Sequence, residues 1–311
     1  MAYNRKYILK ITPIKRVGNS VVNAGKSIVI TDPLTIKFDI KREPFAGSCT
    51  ANIEIYNLQP STRKKLFLDY YDFENLQKVE LSAGYANGKF DLIYRGQIRT
   101  CRVRKDQTET VMVIDAFSGL FVLDSLISVS LDGIQSQQQQ ADKIISYASA
   151  QGLTKGPTSY EEIATTRPVA LLGNAFALLK KTTKGKAFVD NDEIVVVNID
   201  ETVEGDVRVI DDSTGLLGVP ERQATTLTVN CIFEPRLKVG QGIEIVSKIA
   251  PEFDGQYKIW GVSHRGTIGM ASGEQCITTL TLWTGLNLYG RFRSDFGKVI
   301  TKYGKSIPGV S

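Results

Sequence analysis

Ile36-Lys37-Phe38-Asp39-Ile40-Lys41, followed by Ala51-Asn52-Ile53-Glu54-Ile55-Tyr56-Asn57-Leu58-Gln59-Pro60-Ser61-Thr62-Arg63, is the stretch that decides the fold. Ile36, Phe38 and Ile40 alternate with Lys37, Asp39 and Lys41. Beyond a break at Pro44 and Gly47, Ala51, Ile53 and Ile55 alternate with Asn52, Glu54 and Tyr56. A period of two with one apolar face is the pattern of a half-buried antiparallel strand. Pro60 suits the first turn of a helix, where its missing N–H costs nothing, and Leu66, Phe67 and Tyr70 supply an apolar side. The unit reads as strand, turn, strand and a short helix near residues 60–70 that can lie across a barrel opening.

The neighbouring segments repeat this texture. Tyr7, Leu9 and Ile11 predict one strand and Ile28-Val29-Ile30 another. Val79, Leu81, Ala83 and Tyr85 run into Asn87-Gly88, a hairpin signal because both residues tolerate positive φ. Ile98 to Arg104 and Thr110 to Asp115 form a second hairpin around Lys105-Asp106-Gln107. About seven or eight short strands over about 115 residues predict a closed or nearly closed β-barrel, which also removes exposed edges.

The pattern changes after Asp115. Ser136 caps a predicted helix over Gln137–Ala150 with Ala141, Ile144, Ile145 and Ala148 on one face. Thr154 to Thr166 reads as a loop. Pro168 starts a second predicted helix with Leu171, Leu172, Ala175, Leu178 and Leu179, ending at Lys180, Lys181 and Gly185. Phe188-Val189 and Ile194 to Val197 flank Asp190-Asn191-Asp192 as a hairpin. Strand patterns return at Val203–Ile210, Leu227–Cys231, Ile243–Ile245, Tyr257–His264 and Ile277–Trp283, with Gly266 to Gly273 as a loop. The predicted fold is mainly β with a small α+β insert. Its domains are a barrel over 1–120, a two-helix-plus-hairpin insert over 121–200, a second barrel over 201–289 and a basic extension over 290–311. That extension reads equally as a docking arm or a frayed tail.

The chain has 311 residues, 38 basic and 33 acidic, net +5. This is the composition of an ordinary globular protein, and its charge is too dispersed to argue for nucleic acid. Cys49, Cys101, Cys231 and Cys276 lie far apart and read as buried free thiols from a reducing compartment. No apolar run approaches the roughly 20 residues that span a membrane.

Motifs for chemistry are incomplete. Gly25-Lys26-Ser27 lacks the upstream glycine of a P-loop, where Ser20 stands, and Gly304-Lys305-Ser306 has Val299 there. His264 is the single histidine and sits inside a strand pattern, so no Ser-His-Asp or zinc set is visible. Asp190-Asn191-Asp192-Glu193 resembles the start of a calcium loop, but Ile194 and Val195 break it, and a hairpin turn is the better reading. Glu161-Glu162 and Asp211-Asp212 read as solvated acids, and Gln137 to Gln140 as a polar helix start. No catalytic, cofactor-binding or metal-ligating residue is assigned, no cofactor is expected, and the chain reads as a non-enzyme.

Three features together resemble the baseplate hub proteins of contractile-tailed bacteriophages. They are the passage from Cys49 to Arg63, the insert ending in Phe188 to Val197, and the C-terminal barrel with Pro235-Arg236-Leu237-Lys238-Val239-Gly240, Gly255 to His264 and Thr278 to Leu282. The resemblance implies two tail-tube-like barrels per chain. Three chains would then present six barrels, sixfold on one face and threefold on the other. The implied function is a homotrimer that adapts the sixfold tail tube to the threefold spike and forms part of the DNA ejection channel. Implied partners are a tail tube or tube-initiator protein, the central spike protein, baseplate wedge proteins and the genomic DNA in transit. The implied location is the virion tail, assembled in the host cytoplasm. The Pro60 to Tyr70 helix, with Arg63, Lys64 and Lys65, is expected at a contact between chains. Alternatives are another barrel-built tail component, such as a tube initiator or tail-tip protein, and a single-stranded nucleic-acid binder using Tyr94, Arg95, Arg99, Arg102 and Arg104.

Overall fold

The computed structural model describes residues 4–18, 20–44, 48–68, 76–119, 126–161, 163–164, 168–198, 201–269, 275–284, 298–300 and 306–308. The N-terminal part contains β1 (Arg5–Val17), β2 (Ser20–Asn23), β3 (Ile28–Thr31), β4 (Ile36–Glu43), β5 (Ser48–Tyr56), α1 (Pro60–Leu66), β6 (Leu76–Tyr85), β7 (Asp91–Asp106) and β8 (Glu109–Phe117). The strands pair antiparallel in the order β1-β6-β7-β8-β5-β4, with β2 and β3 on the outer edge of β1. The alternation that predicted these strands also fills the core. Leu9, Ile11, Ile36, Phe38, Ile40, Ile53, Ile55, Val79, Leu81, Met112 and Ile114 are buried together.

Two local expectations change. The helix stops at Leu66, because Leu68 leaves it to exchange backbone hydrogen bonds with Cys101 on β7, each 2.9 Å. Its apolar anchors are therefore Leu66 and Leu68, while Phe67 is exposed and Tyr70 lies outside the described residues. At Asn87-Gly88 the Gly88 N–H donates to Tyr85 O, but neither residue takes the positive φ that the motif permits. The glycine that the geometry requires is Gly84, where a Cβ would stand 2.6 Å from Lys89 O.

The insert contains β9 (Leu126–Leu131), α2 (Gln137–Ala150), β10 (Thr154–Thr158), β11 (Val169–Asn174), α3 (Ala175–Thr182), β12 (Ala187–Asp190) and β13 (Glu193–Val196). Helix α2 falls where expected. Ser136 Oγ accepts from the Gln139 N–H while the Gln139 side chain accepts from the Ser136 N–H, a reciprocal cap.

The helix predicted from Pro168 is wrong over its first half. Residues from Val169 to Asn174 are a strand paired antiparallel with β9, and Leu172 is exposed. Adjacent leucines fit either period. Gly173 at φ 151° and Asn174, whose Oδ1 caps the Phe176 and Ala177 N–H groups, delay the helix to Ala175. The loop predicted from Thr154 is likewise corrected. Its first residues form β10, parallel to β13, with an irregularity across Gly156-Pro157. A Cβ on Gly156 would meet Glu193 Cγ at 2.7 Å, so glycine permits the approach, and the register shift absorbs the proline.

The C-terminal part contains β14 (Glu201–Ile210), β15 (Leu216–Arg222), β16 (Thr226–Ile232), β17 (Gln241–Ile245), β18 (Gly255–Ile268), β19 (Ile277–Trp283), β20 (Lys298–Ile300) and β21 (Ser306–Pro308). Its strands run in the order β15-β16-β19-β18-β17-β14 around a second core of Leu227, Val229, Ile243, Ile245, Tyr257, Ile259, Val262, Leu280 and Leu282. The expected loop at Gly266 is strand, because β18 continues to Ile268, whereas residues 270–274 lie outside the described residues. The described pieces of the basic tail, β20 and β21, add to β14 of the same chain.

The two strand-rich halves are not separate barrels. Strand β18 pairs with β17 through its first half and with β4 through its second, from Val262 opposite Arg42 to Ile268 opposite Ile36. One sheet therefore crosses from the first core to the second. Phe233, Ile268 and Cys276 accordingly pack in the first core, and Phe188, Val195 and Val197 of the insert pack in the second.

Candidate functional site

Among the described residues, a buried polar cluster centred on Arg42 lies where the first barrel, the insert hairpin and the second barrel meet. Val262 and Cys49 flank Arg42 in register on β18 and β5, so it stands at the end of the β4–β18 seam. Its side chain is 2% exposed. Nε donates to Asp190 Oδ1 at 2.8 Å, Nη2 to Asp190 Oδ2 at 2.6 Å, and Nη1 to Leu237 O at 3.3 Å. One guanidinium thus joins the first barrel, the insert hairpin and the loop before β17. Burial alone would depress the Arg42 pKa, but the charge and hydrogen bonds of Asp190 hold it above its ordinary value. The planar fork matches a carboxylate bidentately, as a lysine cannot.

The hairpin tip completes the clasp. Asn191 and Asp192 both take positive φ, 53° and 58°, as a two-residue turn of this hand requires. Asn191 Oδ1 accepts from the Arg95 N–H at 2.9 Å. Asp192 accepts from Gly119 N–H at 2.8 Å, Ser118 Oγ at 3.2 Å and Gln97 Nε2 at 3.2 Å, and its own N–H donates to Ser118 Oγ. Burial raises the Asp192 pKa even against these donors. Cys49 Sγ donates to Val189 O at 3.4 Å, and burial pushes its thiol up, away from a reactive thiolate. The tetrad that resembled a calcium loop is therefore a turn, as expected, and it anchors the insert to the first barrel. No group of three or more His, Cys, Asp or Glu among the described residues is arranged to hold a metal ion.

The other residues singled out from sequence lie apart. Gly25-Lys26-Ser27 leads into β3 rather than a helix, with Ser27 Oγ 2.8 Å from Thr12 Oγ1. Glu161 is held by Lys184 at 2.7 Å and by Lys186, hydrogen bonds that lower its pKa to about 2. Glu162 lies outside the described residues. Asp211 closes the β14–β15 turn by accepting from Ser213 and Thr214. All four cysteines are free and buried. Tyr94, the aromatic of the nucleic-acid reading, is fully buried and unavailable to stack on a base. Arg95, Arg102 and Arg104 pair with Glu80, Asp115 and Glu54.

His264 is fully buried on β18, its Nδ1 3.0 Å from Thr278 Oγ1 and its ring edge-on to Phe233. Burial, with the charge of Arg42, pushes its pKa down to about 3. The folded state keeps it neutral while the unfolded chain protonates near 6.5. Stability should therefore fall as pH drops from about 6.5 towards 3, by up to about 1.4 kcal/mol per unit from this group. Urea titrations of wild type and His264→Gln over that window check it. The difference between their slopes should match one proton, and parallel curves would refute the assignment.

The β-rich scaffold of two fused barrels with a docked α+β insert has counterparts in fold among solved structures. It superimposes on a tail protein from Neisseria meningitidis MC58 with a TM-score of 0.58 at 10% identity, covering 93% of this chain and 98% of that one. The prophage MuSo2 43 kDa tail protein from Shewanella oneidensis gives 0.54 at 9%, covering 90% and 96%. An E. coli component of the type VI secretion system gives 0.55 at 11%, covering 85% and 77%. These likenesses speak for the fold. A comparison with curated protein sequences gives no match. The family model described as "Baseplate hub gp41" matches residues 14–265, and the chain belongs to that family. Its role is therefore that of a structural baseplate hub in a phage tail, as the resemblance implied.

Proposed function

We propose that three copies form a ring that adapts a sixfold tail tube to a threefold spike and surrounds the path of the DNA. The observation that supports this reading is the β4–β18 pairing, which fuses two barrels into one continuous run β7-β8-β5-β4-β18-β19-β16-β15. Three chains each carrying two joined barrels give six barrels around one axis. The solvent face of that run carries several cross-strand polar pairs. Arg265 bonds Asp39 across the seam at 2.8 Å, Asn52 bonds Asp115 at 2.7 Å, and Thr279 bonds Asn230 at 2.7 Å. A wall on which acids pair several of the cations suits a polyanion that must slide past it, since net phosphate binding scales with cations that release counterions.

On this reading the partners are the tube or tube-initiator protein on one side and the spike on the other, with wedge proteins outside. Assembly takes place in the host cytoplasm, and the chain works without chemistry. The domain boundaries 1–120, 121–200, 201–289 and 290–311 belong to the same proposal, with β18 shared between the first and third. Mass measurement of the full chain, alone and with the spike, together with its copy number in particles, tests the reading. Three copies are expected, and a chain that remains monomeric or pairs as a dimer in both settings overturns it.

A further inference from the structure

Two surfaces at opposite ends of the strand order match in charge. On the first barrel, the β1–β2 hairpin and the end of α1 enclose a groove of about 720 Å³ whose lining includes Lys15, Arg16, Lys64, Lys65, Phe67 and Leu76. The four cations are exposed, and no acid lines the groove among the described residues. None of the four forms an ion pair among those residues. Phe67, 54% exposed, gives the groove an apolar wall.

On the second barrel, the turn from Asp211 to Gly215 joins β14 to β15, and the segment from Val246 to Asp254 joins β17 to β18. The two are tied together by Val246 N–H donating to Ile210 O at 3.1 Å and Lys248 N–H donating to Asp212 Oδ2 at 3.1 Å. They present Asp211, Asp212, Glu252 and Asp254 against Lys248, around Ile249, which is 69% exposed. Hydrogen bonds from Ser213 and Thr214 hold the Asp211 carboxyl down to about 2, so it stays charged.

We propose that the acidic turns of the second barrel of one copy dock into the basic groove on the first barrel of the next copy. The inference rests on the ring reading and supplies its lateral contact. The occupant is a second copy because the complementary surface is present on this chain, on the side of the second barrel away from the seam. A contact between unlike surfaces is heterologous and closes into a ring only when the rotation permits, which suits three copies better than two. Phe67 and Ile249 form the apolar centre, and the charges orient the encounter and exclude the reversed pairing, in which like charges would meet. Such a contact is screened by salt on the scale of the Debye length, roughly 10 Å at 0.1 M.

The experiment uses the full chain and reads its association by sedimentation equilibrium at low and high sodium chloride. Three variants are compared after circular dichroism confirms that each is folded: Lys64→Glu with Lys65→Glu, Glu252→Lys, and all three changes together. Glu252 is chosen because it is exposed at the rim of the turns. The wild type is expected to form a trimer that weakens with salt. Each half-swap should lower its association constant at least about tenfold, and the triple variant should recover most of that loss. A trimer indifferent to these changes, or half-swaps that weaken assembly without recovery in the triple variant, would overturn the contact and leave the ring reading standing. A wild type that trimerises neither alone nor with the spike protein would overturn both.

Discussion

Replacing Arg42 with alanine is expected to lower the unfolding free energy by about 3–5 kcal/mol, the range for removing one partner of a buried ion pair. The reason is the carboxylate left behind. Asp190 is only 8% exposed and receives two of its hydrogen bonds from this guanidinium, while Leu237 O loses its donor as well. Asp190→Asn should cost less, since a neutral amide can still accept from Arg42, although the arginine then keeps its charge in a buried place. The double change Arg42→Met with Asp190→Leu should recover much of the loss, because an apolar pair carries no unpaired charge. Urea unfolding followed by both circular dichroism and tryptophan emission checks this. Trp260 and Trp283 stack at 4.9 Å on the second barrel, so their emission reports that barrel while the backbone signal reports the whole. A loss below about 1 kcal/mol for Arg42→Ala would mean that the clasp is ornamental. Transitions that cease to coincide in the variant would show that Arg42 couples the three cores.

The parts of this fold that follow from local pattern were legible in the sequence. Alternation from Ile36 to Tyr56 and from Val79 to Asp115 marks strands because one face must be apolar and the other wet. Ser136 marks the start of α2 because an orphan N–H needs an acceptor. The failures fall where two local rules give the same answer or where the deciding partner is remote. Leu171-Leu172 satisfies both the helical and the extended period, and only pairing with β9 decides. Gly156-Pro157 looks like a loop until β13 lies beside it. The clasp illustrates the second case. Asp190-Asn191-Asp192-Glu193 was recognisable as a turn, yet its partner Arg42 lies 148 residues earlier, and nothing near either residue announces the other. The seam was hidden for the same reason. Strand β18 alternates like any barrel strand, and its two halves serve different neighbours without a break in composition.

Gly266→Val is expected to unlock that seam, at about 3 kcal/mol or more, the upper end of overpacking costs. Gly266 lies opposite Phe38 on β4. Its backbone is not in the left-handed region, so the effect is one of space rather than conformational freedom. A Cβ there would stand 2.4 Å from Cys276 Sγ and 2.7 Å from Cys276 Cα. The sulfur can turn away, but the Cα belongs to the backbone just before β19. Relief therefore requires β18 to shift against β4 or β19, and either shift strains the sheet that joins the barrels. Cys276→Ala in the same chain should recover only part of the loss, because the clash with the main chain of residue 276 remains. Gly88→Ala is the contrasting control. It sits at an exposed turn where the nearest atom would be Tyr85 O at 3.5 Å, and the change should be within about 0.5 kcal/mol. The same pair separates folding from assembly. If the seam sets the angle between barrels, the valine variant that still folds at low temperature should fail to form three-copy rings while the alanine control forms them normally. Rings of unchanged mass from a folded Gly266→Val chain would show that the angle between the barrels is fixed elsewhere, with the clasp at Arg42 as the remaining candidate.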